Sequence, residues 1–222
     1  PHLVNLVKQA TVSLDKVGLG AHKAKVCLVL DISGSMRILY KNGLVQAFAE
    51  RILALGCKFD DDQAIDVFLF GQYVHQVAPM GLKNNSGFIA QALAQHPLEG
   101  DTCYGLAMEA VRNFYFPAHK GRDLSSPVCA DMPVYVMFVT DGTTSDKPRT
   151  EKQLRKSSYE AIFWQFMGIG KGKKAKVSQA VAESDFPFLE KLDELTGRFI
   201  DNANYFSVRS PDELTDSQLY DL

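Results

Sequence analysis

Val26-Cys-Leu-Val-Leu-Asp-Ile-Ser-Gly-Ser-Met36 is the stretch that decides the fold. The apolar run Val26–Leu30 has no polar alternation, so it reads as a strand buried on both faces. Asp31, Ser33 and Ser35 follow at a spacing of two, and Gly34 lets the backbone turn sharply between them. Oxygen-bearing side chains gathered where a buried strand ends are part of the ligand set of a hard cation such as Mg²⁺. Two later stretches repeat the theme. Thr102 stands at the start of an amphipathic segment with Leu106, Ala107, Ala110, Val111 and Phe114 on one face, and Thr140-Asp141-Gly142 closes a second apolar run, Val134–Val139.

These three loops, in this order, resemble the metal-ion-dependent adhesion site of von Willebrand factor type A (vWA) domains. The resemblance covers roughly Lys25 to the C-terminus. It implies a Rossmann-like, six-stranded sheet in the order 3-2-1-4-5-6, with strand 3 antiparallel. It also implies a divalent ion held by Ser33, Ser35 and Thr102, and by Asp31 and Asp141 directly or through water. Within vWA domains the pattern is most similar to the Ter tellurite-resistance and stress-response group. Val12-Ser13-Leu14-Asp15-Lys16 also resembles a short segment found in Ter proteins.

The residues alone lead to a compatible architecture. Buried strands alternate with amphipathic helices, which specifies an α/β, doubly wound, mostly parallel sheet covered on both faces. Ligands of such sheets sit beyond the carboxyl ends of the strands, where chain order reverses. The two Asp-bearing strands are expected to be neighbours there. In chain order, the pattern predicts a strand-like opening over Leu3–Leu14, a helix over Tyr40–Leu55 stopped by Gly56, a strand over Gln63–Phe70 and an antiparallel return over Tyr73–Val77. It then predicts a helix capped by Ser86, one starting near Pro148, a strand over Ala161–Ile169, a helix from Asp185 and Pro187 to Leu195, and a strand at Tyr205–Val208. Ser210-Pro211-Asp212-Glu213 carries a capping-box signature for a last helix. Residues 1–22 read as an N-terminal extension, either an edge strand or the remnant of an upstream domain, and 23–222 as the vWA domain. The start at Pro1 without Met suggests a trimmed or excised chain.

The chain has 222 residues, 46% apolar and 23% charged, with a net charge of −2. That composition fits one large globular domain and offers no basic field for nucleic acid. No apolar run is long enough to span a membrane. Cys27, Cys57, Cys103 and Cys129 form no Cys-x-x-Cys pair, which argues against zinc. Cys27 and Cys57 read as buried free thiols and favour a reducing, cytoplasmic compartment. The Gly- and Lys-rich stretch after Ile169 lacks the Walker spacing and reads as a solvated basic loop.

Three neutral hydroxyls and two carboxylates leave a divalent ion under-neutralised, able to take an outside Asp or Glu carboxylate from a protein partner. Other Ter-type proteins are the expected partners. Mg²⁺ suits few protein oxygens with waters completing the shell, and Ca²⁺ and Mn²⁺ are the alternatives. Asp101, beside Thr102, is expected to face solvent or a backbone amide. Two other readings stand beside this one: a Mg²⁺-dependent phosphoryl-transfer hydrolase and a scaffold with an idle ion. The hydrolase pattern asks for a second Asp two residues after the first, and Ser33 occupies that position.

Overall fold

A computed structural model describes residues 2–16, 22–170 and 186–220. Its centre is a seven-stranded sheet. The strands are β1 (Lys25–Asp31), β2 (Ala64–Phe70), β3 (Val74–Gln76), β4 (Met80–Gly81), β5 (Val134–Thr140), β6 (Ile162–Ile169) and β7 (Ala203–Val208). The order is β3-β2-β1-β5-β6-β7, with the short β4 paired to β2. Strand β1 runs parallel to both β2 and β5, β6 and β7 continue the parallel set, and β3 is antiparallel. With β4 set aside, this is the expected order, and chain order reverses between β1 and β5.

Strand residues alternate between two cores, because successive side chains point to opposite faces. Val26, Leu28 and Leu30 face one cluster with helices α1 (His2–Lys16), α3 (Leu44–Phe59), α4 (Phe88–Gln95) and α8 (Asp216–Tyr220). Cys27 and Val29 face the other, with α5 (Tyr104–Tyr115), α6 (Lys147–Ser157) and α7 (Pro187–Asp193). Coverage on both sides explains why the central strands are continuous apolar runs.

Several expectations need correction. Residues 2–16 are helical, so the opening is not an edge strand. Leu3, Leu6, Val7 and Ala10 recur at helical spacing and meet the core, which outweighs the short alternation of Ala10, Val12 and Leu14. The helix expected over Tyr40–Leu55 is two: α2 (Arg37–Lys41) ends at Asn42, and Gly43, at φ 74°, turns the chain into α3. Gly56 does not stop α3, which continues to Phe59; a Cβ there would lie 2.4 Å from Ile65 Cγ2, so this glycine allows the helix to press on β2. Gly87, not Ser86, is the N-cap of α4. Helix α7 ends at Asp193, and its expected opening at Asp185 lies outside the described residues, as does the basic stretch after Gly170. The last helix begins at Asp216 rather than at Ser210. The working capping box is Thr215 with Gln218: Gln218 N–H donates to Thr215 Oγ1 and Thr215 N–H to Gln218 Oε1. Cys27 is buried, but Cys57 is only half-buried.

Helix α1 is part of the packed fold. Leu6→Ala is expected to lower stability by roughly 2–3 kcal/mol, the cost of a buried Leu truncation, measured by urea unfolding. A change under about 0.5 kcal/mol, the range of ordinary surface substitutions, would mean that α1 is not docked in solution.

Candidate metal centre

The carboxyl ends of β1 and β5 meet in register. Leu30 pairs with Val139, so Asp31 and Thr140 end the two strands side by side. The Asp31 carboxylate is completely buried, and both its oxygens accept hydrogen bonds: Oδ1 from Ser33 N–H at 2.7 Å and Oδ2 from the Thr140 hydroxyl at 2.6 Å. The bond from Ser33 folds the loop back over the strand end. Ser33 Oγ lies 3.1 Å from Ser35 Oγ, and the Ser35 hydroxyl donates to Asp141 Oδ1 at 2.7 Å. Asp31, Ser33, Ser35 and Asp141 thus form one connected group. Beneath it, the buried Tyr104 hydroxyl donates to Gly142 C=O at 2.5 Å and lies 3.0 Å from Thr140 Oγ1. The Tyr40 hydroxyl holds the Asp31 carbonyl at 2.7 Å, tying α2 to the same corner.

The Thr102 loop is fastened to both others. Glu99 N–H donates to Ile32 C=O at 2.8 Å, and Gly34 N–H donates to Glu99 C=O at 3.1 Å, a short parallel bridge beyond the end of β1. Thr102 C=O accepts from Ser145 N–H and from the Thr144 hydroxyl, each at 3.0 Å. Thr102 N–H donates to Asp101 Oδ1 at 2.7 Å, so Asp101 faces a backbone amide as expected. Thr102 is therefore placed in the adjoining loop by its backbone, and no hydrogen bond joins its side chain to the other four residues among those described. It does not cap α5 either.

Capping of α5 comes from elsewhere, and the sequence did not show it. Asp146 accepts from Gly105 N–H and Leu106 N–H, both at 3.0 Å, and Thr144 Oγ1 accepts from Tyr104 N–H. Asp146 is also the N-cap of α6. Its carboxylate thus caps α5, where exposed N–H groups and the helix dipole favour negative charge, while its backbone carbonyl accepts Thr150 N–H at the start of α6 at 3.0 Å. Glu99 is a second missed residue. Its carboxylate accepts from Tyr73 N–H at 2.8 Å and meets His75 Nε2, and the His75 ring stacks on His96 with centroids 4.2 Å apart. No local motif marks such long-range braces. A carboxylate before the Thr102 turn and another after Thr140-Asp141-Gly142 were the available hints.

The electrostatics follow from burial. Burial pushes the Asp31 carboxyl up to about 6, against the lowering effect of its bonds from Ser33 and Thr140, and the nearby Asp141 adds to the rise. Burial raises Asp141 too, opposed by the Ser35 hydrogen bond. Neither carboxylate is in an ion pair among the described residues, where no cluster of three His, Cys, Asp or Glu side chains suited to a metal occurs. Any cation here would be held by hydroxyls and two carboxylates, a hard oxygen set.

Comparisons with known proteins agree with the fold. A family model described as "vWA found in TerF C terminus" matches residues 23–222, and the chain belongs to this vWA-TerF-like family. The uncharacterized protein YcbR of Bacillus subtilis (strain 168) is 36% identical over 218 residues, which is 96% of this chain and 80% of that one. Among solved structures, proximal thread matrix protein 1 from the mussel byssus is similar, with a TM-score of 0.59 at 19% identity over 90% of this chain. This chain spans 46% of that protein's length. Another structure of the same protein is described as having a zinc-occupied MIDAS motif. The manganese-loaded TRAP protein of Plasmodium vivax aligns with a TM-score of 0.53 at 16% identity, covering 84% of this chain and 69% of that one. At these identities the structures establish the shared fold. No helix among the described residues is long and apolar enough to cross a membrane.

Two outcomes are expected. A carboxyl raised from 3.8 to about 6 is protonated more readily in the folded state, so its ionisation costs stability as pH rises from 3.8 through 6. Asp31→Asn removes that cost of roughly 3 kcal/mol. Without added cation the variant should therefore be at least as stable as wild type at pH 7.5, and the difference should shrink as pH falls below 6. Thermal melts across pH measure this; a variant equally destabilised at every pH would contradict it. Asp146→Ala should cost roughly 2–3 kcal/mol, from two charge-assisted cap bonds, measured by urea unfolding.

Proposed function

We propose that this chain is a metal-dependent protein–protein interaction module. Asp31, Ser33, Ser35, Thr102 and Asp141 hold a divalent cation, Mg²⁺ in the first place and Ca²⁺ or Mn²⁺ as alternatives. An Asp or Glu carboxylate of a protein partner completes its shell. The observation that carries this reading is the pair of carboxylates at one sheet edge, one completely buried, with hydroxyl and N–H partners but, among the described residues, no cationic side chain in an ion pair with either. Two carboxylates without a cationic partner among the described residues, one completely buried and one half-buried, favour a cation, and the surrounding hydroxyls supply further neutral oxygens. The metals named for similar vWA structures support a divalent ion.

The family description links the chain to Ter proteins, which supports a place in a bacterial tellurite-resistance or stress-response system with Ter-type partners, in the cytoplasm. No catalytic role is part of this proposal. A phosphoryl-transfer hydrolase needs an accessible nucleophilic carboxylate or a base that activates water. Asp31 is completely buried with both oxygens engaged, and Ser33 stands where a second Asp would be needed.

Calorimetric titration with Mg²⁺ tests the site. Wild type should give a saturable isotherm, and Asp31→Ala and Ser33→Ala should lose it while their circular dichroism stays native. Indistinguishable isotherms would remove the assignment. Partner capture from native extracts should disappear with EDTA. Mg²⁺-dependent phosphatase turnover that is lost in Asp31→Asn would replace the binding reading with the hydrolase one.

A further inference from the structure

Beside the metal loops, α2 and α4 flank an open groove of about 470 Å³. Its floor is apolar, made by Ile89, Leu93 and Leu98 with Tyr40, and its rim carries Arg37 and Lys41. Both cations are exposed, no Asp or Glu lines the groove, and neither cation is in an ion pair among the described residues. Ile38, between them on α2, is 68% exposed.

The groove is continuous with the site. Helix α2 starts two residues after Ser35, and its Tyr40 hydroxyl is bonded to the Asp31 carbonyl. Leu98 leads into Glu99, whose backbone is paired with Ile32 and Gly34. The far wall is braced: Gln46 Nε2 donates to Asn85 C=O at 2.7 Å, and Gln46 Oε1 accepts Ile89 N–H at 2.9 Å. The wall nearest the site is thus held by contacts that also hold the loops, and the far wall by Gln46.

We propose that this groove receives the residues next to the metal-bound carboxylate: a short acidic segment of a partner protein, with an apolar side chain on the floor and a second carboxylate on Arg37 and Lys41. This rests on the metal-dependent reading and extends it from one acid to a segment. Charge complementarity selects the occupant. A basic segment meets two unpaired cations beside a bound metal ion, whereas an acidic one pairs with them at a rim where such charges set partner choice and capture rate. The apolar floor adds area-dependent affinity at little directional cost.

The test uses the full chain with excess Mg²⁺ and an array of hexapeptides that share one fixed Asp and vary at the flanking positions. Wild type should select peptides with an adjacent Leu, Ile or Phe and a second Asp or Glu. Ala90→Glu, which puts a carboxylate at an exposed position lining the groove, and the double variant Arg37→Glu with Lys41→Glu should bind those peptides about tenfold more weakly. Both should keep the wild-type Mg²⁺-induced rise in melting temperature. No flank preference in wild type, or a preference unchanged in the variants, overturns the groove and leaves the metal reading standing. Capture that persists in EDTA yet weakens in the variants upholds the groove and overturns the metal reading. Equal capture of a single-stranded DNA oligomer overturns the assignment of a peptide partner.

Discussion

The hydrogen bond from the Thr140 hydroxyl to Asp31 Oδ2, at 2.6 Å between two residues with no solvent exposure, links the two halves of the doubly wound sheet at the point where the site is built. It exists because β1 and β5 pair in parallel with Leu30 opposite Val139. Slip that register by one residue, and every side chain of β1 exchanges one core for the other. The two clusters on opposite faces therefore lock the position of Asp31 as firmly as any local contact. The loops that follow inherit this alignment. Ser35 can reach Asp141 because both chains leave the sheet at the same height.

Much of this was legible in the residues. Unbroken apolar runs ending in Asp are read directly as buried parallel strands, and adjacency of the two Asp-bearing strands follows from the switch point of a doubly wound sheet. Of the five residues expected at the site, Asp31, Ser33, Ser35 and Asp141 are joined by hydrogen bonds, whereas Thr102 is placed beside them by its backbone alone. The hidden features are those that depend on distant partners. Asp146 caps a helix that begins more than forty positions earlier in the chain, its bond to Gly105 spanning 41 residues, so no local capping box announces it. Glu99 is specified by Tyr73 and His75 across the β2–β3 turn. The opening segment carries two conflicting patterns: a short alternation in its second half resembles a strand, but Leu3, Leu6, Val7 and Ala10 obey the helical period, and the helix prevails. Gly56 looked like a terminator but serves close packing against Ile65.

The site is electrostatically unusual within its own protein. Elsewhere, buried charge is matched: Arg112 forms a two-pronged pair with Glu160, and Arg51 pairs with Asp216 while donating to Pro211 and Leu214 carbonyls. Such pairs prevent the large cost of an isolated interior charge. At the β1–β5 edge only neutral donors answer the carboxylates among the described residues. That contrast, within one chain, sets the β1–β5 edge apart from the paired charges elsewhere among the described residues.

Strand β1 carries this contrast along its own length. At its amino end, Lys25 is clamped between Asp60 and Asp62, at 2.7 and 2.8 Å, and its ammonium is held strongly protonated by them. At its carboxyl end, Asp31 has no such counterpart. The seven-residue strand is in effect a polarised rod with one terminal discharged and the other live. The first terminal has its counter-charges built in by the loop ahead of β2, whereas the second, among the described residues, meets hydroxyl and amide groups alone.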